Sequence, residues 1–185
     1  MAVDHVKSTA ITNLDAPFAS TPAPAQISTA GEGAVGTLKV IDGYVTAVAS
    51  SSVGATYQLV RVPSSVKIKS VRFESEAQGA GKFSLGLYYA TDGSNASSVT
   101  GGLLLAATIN ATFFASQIDC ASAVAPTQEV QQSGTYTLDK RTQPLWKAAG
   151  LSSDPGGNFD IVATVDTTAV TTGTGKLGVL VEYIT

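Results

Sequence analysis

In the stretch Lys82-Phe-Ser-Leu-Gly-Leu-Tyr-Tyr-Ala90, the residues Phe83, Leu85, Leu87 and Tyr89 alternate with Ser84, Gly86 and Tyr88. An apolar period of two lines one face of an extended backbone and cannot be wrapped onto one face of a helix. The pattern predicts a half-buried strand, with Ser84, Gly86 and Tyr88 on the solvated side. Comparable runs fill Thr37–Val48, Tyr57–Val62, Val66–Glu76, Leu103–Ala106, Phe159–Val165 and Lys176–Ile184, with Gly, Pro, Asn, Asp and Ser between them. That amounts to roughly eight strands at the spacing of a sandwich or barrel. No βαβ alternation appears, so the expected fold is an all-β sandwich, jelly-roll-like.

Local signals refine this outline. Asp42-Gly43 sits between two strand-like runs and reads as a hairpin turn. In the run from Val66, the apolar phase slips: Val66 and Ile68 are even-numbered, Val71 and Phe73 odd. A period of two allows that only with an inserted residue, which predicts a β-bulge near Lys69 and Ser70. Asn110-Ala-Thr-Phe-Phe-Ala-Ser-Gln117 opens on a good helix cap and reads as one or two helical turns. Thr142–Gly150 reads as a second short helix, with its cap at Thr142, Pro144 in the first turn, Gly150 as the stop and Trp146 as an apolar plug. Asp154-Pro-Gly-Gly157 is a turn.

The 185 residues suit one sandwich domain, residues 34–185, preceded by an extended arm, residues 1–33. The arm carries Pro17, Pro22 and Pro24 and isolated apolar residues at Val6, Ile11, Leu14 and Phe18, which are its candidate anchors on a groove of this subunit or a neighbour. Only 14% of the chain is charged, against about 25% in an ordinary soluble domain. Hydroxyl-rich strand faces can keep such a surface soluble, and so can cover by copies or a partner. A net charge of −3 lacks the basic footprint that nucleic-acid binding needs. Lys67, Lys69 and Arg72 are followed at once by Glu74 and Glu76 and read as a solvated strand face. No apolar run approaches the ~20 residues of a membrane helix, and the opening residues do not resemble a secretory signal. Asn95-Ala-Ser and Asn110-Ala-Thr match the glycosylation acceptor pattern, which is idle without export.

The supply of catalytic residues is thin. The single histidine, His5, lies in the arm, far in sequence from the single cysteine, Cys120, which reads as a small packed hydrophobe. Neither a Ser nucleophile motif nor a zinc ligand set exists. A carboxylate pair for glycoside hydrolysis would have to come from Glu74, Glu76, Asp139, Asp154, Asp160 and Asp166; of these, Asp160 and Asp166 share a strand face about 20 Å apart, beyond either hydrolytic geometry. Asp92 in the loop Thr91–Ser98 is too isolated for calcium. No catalytic residue, metal or cofactor is assigned. Gly173, Gly175 and Gly178 spell G-x-G-x-x-G, but a dinucleotide loop needs a helix after it, and Lys176–Ile184 reads as a strand. Within it Leu177, Val179, Val181 and Tyr183 form the core set, while Leu180 and Ile184 face outward with Glu182 as candidate contact residues.

Ser133-Gly-Thr-Tyr-Thr-Leu-Asp-Lys-Arg-Thr-Gln-Pro-Leu-Trp-Lys-Ala-Ala-Gly-Leu-Ser-Ser-Asp-Pro-Gly-Gly-Asn-Phe-Asp-Ile-Val162, with Glu74–Gly81 before it and Thr172–Val179 after, resembles capsid decoration or cement proteins of tailed bacteriophages. The resemblance implies a jelly-roll-like virion protein, made in the host cytoplasm and placed on the capsid surface. It would bind the outer face of the major capsid protein shell and associate with itself as a dimer or trimer. It transfers no functional residue set. The alternative is a carbohydrate- or receptor-binding sandwich of a phage tail or fibre, although the chain has one Trp and 7% aromatic residues.

Overall fold

The computed structural model describes residues 37–90, 98–100, 103–105, 108–125, 133–171 and 175–185. Among them run the strands β1 (Leu38–Thr46), β2 (Thr56–Pro63), β3 (Lys67–Ser75), β4 (Lys82–Tyr89), β5 (Ser98–Thr100), β6 (Leu103–Leu105), β7 (Thr108–Asp119), β8 (Asn158–Val165) and β9 (Lys176–Ile184). Antiparallel pairing builds a three-stranded sheet, β1-β9-β3, and a four-stranded sheet, β2-β8-β4-β7, with β5 and β6 as a separate pair. The chain thus forms the expected all-β sandwich. Strands β1 to β4 alternate between the two sheets. After β7, a single antiparallel bridge joins Val124 to Ser75 at the edge of β3.

The core lies between the sheets. Ile68, Val71, Phe73, Leu177, Val179 and Val181 enter it from one side, and Phe83, Leu85, Leu87, Phe159 and Ile161 from the other, all fully buried. Each such side chain stabilises the fold by roughly 1.5–3 kcal/mol through its removal from water. The Phe83 ring meets Tyr57 of its own sheet at 6.1 Å and Phe73 of the facing sheet at 6.5 Å, the second contact tying the sheets together. Cys120 is buried within this core. The phase slip in β3 is a bulge: the register against β9 shifts between Ile68 and Ser70, so Val66, Ile68, Val71 and Phe73 all reach the core.

Other local readings are corrected. Asp42-Gly43 is no turn; β1 runs straight through it and pairs with β9 from Leu38 to Thr46. Gly43 is there for space, because a Cβ would lie 2.3 Å from the Leu59 carbonyl oxygen where β1 crosses β2. Asn110–Gln117 is not helical but the body of β7. Five residues of β7, from Asn110 to Ala115, advance against two of β4, Leu87 to Leu85. That excursion turns the adjacent Phe113 and Phe114 both inward. β4 is buried on both faces, since Ser84 and Tyr88 are also covered. Ala111 lies over Gly86, whose added Cβ would come 2.6 Å from it.

The second helix exists as α1, Leu145–Ala148, ended by Gly150 at φ +86°. Its cap is Pro144, not Thr142, which closes a preceding 3-10 turn, Leu138–Thr142. Leu145 is the buried plug, while Trp146 is only half-buried. Between β7 and this turn, Tyr136 is buried against Phe113 and Phe114, 5.4 and 5.3 Å away, and its hydroxyl donates to the Ile68 carbonyl at 2.8 Å.

Candidate functional site

The register of the three-stranded sheet fixes which residues share its outward face. Leu38 lies beside Ile184, Val40 beside Glu182, Asp42 beside Leu180, and Tyr44 beside Gly178. On the far side of β9, Lys67, Ser70, Arg72 and Glu74 continue the same rows. Inward-facing Ile41 and Val45 pack against the core. The outward side chains of β1 have no such cover: Leu38 is 57% exposed, Val40 58% and Tyr44 71%. Leu180 and Ile184, the outward residues expected of β9, lie half-buried in the middle of this face. It is therefore a mixed surface, apolar along β1 and β9, with Arg72 and Glu182 3.7 Å apart on its polar side.

Near one end, the missing side chain of Gly178 leaves a cleft of about 370 Å³ lined by Tyr44, Glu74, Glu76, Lys176 and Val124. A Cβ on Gly178 would meet Glu74 Oε1 at 2.8 Å, and one on Gly175 would meet Gln78 Nε2 at 2.7 Å. Two glycines of the G-x-G-x-x-G string thus make room for β3 and its following turn. Gly175 directly precedes β9 and Gly178 lies within it, so a strand stands where a helix would have to face a pyrophosphate. Glu76 Oε2 accepts the Lys176 backbone N–H at 2.8 Å, and Lys176 Nζ stands 5.3 Å from the centre of the Tyr44 ring. The cleft offers an exposed aromatic ring, two carboxylates and an ammonium, a set suited to hydrogen bonding and stacking.

The remaining candidate carboxylates serve the structure. Asp160 is buried and grips Arg61 in a two-pronged contact, Nε to Oδ1 at 2.6 Å and Nη2 to Oδ2 at 2.9 Å. Asp154 accepts from the Ser64 hydroxyl and the Gly156 N–H, and Asp166 from the Ser84 hydroxyl. Asp139 is fully exposed on the 3-10 turn, its carboxyl held below the usual range chiefly by the Thr137 hydroxyl. Lys69 is no free solvated charge: it donates to the Arg141 carbonyl at 3.1 Å, and Arg141 donates back to the Lys69 carbonyl. Burial pushes the Cys120 thiol from 9.0 up to about 11, unlike a nucleophile. Among the described residues, no three His, Cys, Asp or Glu cluster as metal ligands. No helix among them is long and apolar enough to cross a membrane.

A solved structure shares this fold. A chain of the cyanophage Pam1 capsid asymmetric unit aligns with a TM-score of 0.51 at 18% identity, covering 90% of this chain and 97% of that one. At that identity the likeness speaks for the fold. The near-complete coverage on both sides also makes the two chains similar in length. No protein-family model matches the sequence, and no curated protein matches it.

Of the sequence-based contact residues, Leu180 and Ile184 come together on one face with Leu38, Val40 and Tyr44. Val6, Ile11, Leu14, Phe18 and His5 lie outside the described residues, as do Asp92, Asn95 and Gly173. The outward row of β1 was not legible as a surface, because β1 is apolar in both phases. The charges do not separate the phases either, since Asp42 shares the phase of Leu38, Val40 and Tyr44 while Lys39 shares that of Ile41 and Val45.

Proposed function

We propose that this chain is a non-enzymatic structural protein of a phage head, a decoration or cement protein bound to the outside of the major capsid protein shell. In this reading residues 34–185 form one jelly-roll domain, residues 1–33 form an arm, and copies of the chain associate with one another as they bridge capsomers. The observation that carries it is the fold shared almost end to end with a chain of a phage capsid asymmetric unit. The alternation of consecutive strands between the sheets supports the jelly-roll reading. The weakly charged, apolar outward face of β1 and β9 supports a role in assembly. Repeated over many copies, modest contacts of this kind give avidity and stiffen a shell against internal pressure.

The test is binding to heads that lack the protein. Purified full-length chain is expected to co-sediment with such heads, saturating at a fixed number of copies, and to raise the temperature at which they release DNA. Absence of saturable binding would remove the proposal.

The cleft favours a second reading, a glycan-binding module. An exposed aromatic beside carboxylates is the arrangement that stacks a sugar ring and engages its hydroxyls. Here saturable glycan binding is expected to be lost in Tyr44→Ala; glycan binding that survives the substitution would place the site elsewhere.

A further inference from the structure

The sandwich covers its strand edges unevenly. Along β3, the Leu145 N–H donates to the Val66 carbonyl at 2.8 Å, the Tyr136 hydroxyl to Ile68 and Arg141 to Lys69, and Val124 completes the bridge to Ser75. Along β7, the Gly134 N–H donates to the Phe114 carbonyl at 3.1 Å and the Tyr136 N–H to Phe113 at 2.9 Å. Among the described residues β1 has no such cover. Among the described residues, its backbone hydrogen bonds run only to β9. Nine residues long, without proline, and with Leu38, Val40 and Tyr44 in water, it carries only the charges of Lys39 and Asp42 against strand addition.

We propose that the edge of β1 takes residues 3–16 of a second copy of this chain as an added strand. The length and composition of residues 1–36 choose this occupant. Proline cannot donate to a ladder; Pro17, Pro22 and Pro24 leave residues 1–16 and 25–36 free of it, and Gly31, Gly33 and Gly36 weaken the second stretch as a strand, which favours the segment before Pro17. That segment is long enough to cover all nine residues of β1. Val6 and Leu14 share one phase, so as a strand they lie on one face, able to extend the apolar row of Leu38, Val40 and Tyr44; Ile11 takes the other phase, beside Ile41 and Val45. From Pro17 to Thr37 the chain can span up to about 70 Å when extended, more than twice the length of β1 at about 3.4 Å per residue. An arm with that reach can leave its own sandwich and lie on the next. Pairing of β1 with β1 of a second copy is less suitable: the register that engages all nine residues puts Asp42 opposite Asp42, and like charges directly opposite destabilise a ladder.

The inference concerns free copies of the chain and stands whether or not they bind a capsid. Full-length proteins carrying Leu14→Cys are mixed, under mild oxidation, with proteins carrying Leu38→Cys, Val40→Cys or Tyr44→Cys, and the products are read by non-reducing gels and peptide mapping. Cys120 is buried and stays silent. The expected product is a heterodimer linking residue 14 of one chain to β1 of the other, lost when Val6→Asp and Ile11→Asp are added to the arm. Melting curves matching the parent confirm that each variant is folded. Three results overturn the proposal: homodimers of the β1 variants as the main product, closure of a Leu14→Cys/Val40→Cys chain on itself at high dilution, or no cross-link at any of the three β1 positions.

Discussion

Gly43 and Gly178 are both strand glycines, yet a methyl group would meet different neighbours at each. At Gly43 it runs into the Leu59 backbone, which cannot move without shifting β2, whereas at Gly178 it meets the Glu74 side chain, which can swing aside. Gly43→Ala is expected to cost about 1–3 kcal/mol by overpacking, and Gly178→Ala less than about 1 kcal/mol, both read by urea denaturation. The buried Cys120 gives a pH signature. Its folded pKa of about 11 lies above its ordinary 9.0, so the protonated thiol is favoured by the fold. Its contribution is complete below pH 9 and fades as the pH rises towards 11, an effect of about 2–3 kcal/mol. Unfolding titrations of the wild type and Cys120→Ala from pH 8 to 11 should therefore show the loss of stability with pH to be smaller in the variant.

At the scale of elements, a phase slip in a strand proved the most readable signal. Val66 and Ile68 against Val71 and Phe73 located the β3 bulge, and the same slip stands unread in β2. There Tyr57 is odd while Val60 and Val62 are even, all three are buried, and the register shifts between Gln58 and Val60. β7 was not legible, for a physical reason. Asn110 Oδ1 accepts the Thr112 N–H at 2.9 Å, so capping chemistry that often starts a helix here turns a strand excursion. The hairpin at Asp42-Gly43 failed similarly, because a glycine needed for close packing looks like a glycine needed for a turn. Tyr136 joins β7 to the edge of β3, and Tyr136→Phe removes its bond to the Ile68 carbonyl. That substitution is expected to cost about 0.5–1.5 kcal/mol, measured by thermal and chemical unfolding, with the fold retained. Leu85→Asp, in contrast, puts a charge among fully buried side chains and is expected to prevent folding; a soluble, cooperatively melting variant would contradict the assignment of β4 to the core.

For the whole molecule, period and turn chemistry sufficed to foresee a sandwich, while the surface that carries its proposed role emerged only once pairing set β1 beside β9. Leu180 and Ile184 were visible in the sequence as outward residues, but their neighbours Leu38, Val40 and Tyr44 come from the other end of the domain. Sequence patterning within one strand cannot report such a juxtaposition. The central claim, the proposal that this sandwich is a capsid decoration protein, is tested most directly by electron cryo-microscopy of phage particles assembled in the presence of the chain. The account predicts density matching the β1-β9-β3 and β2-β8-β4-β7 sheets on the outside of the head shell, lying across capsomer junctions. Density for the chain confined to the tail, or a head surface bare of it, would contradict the account.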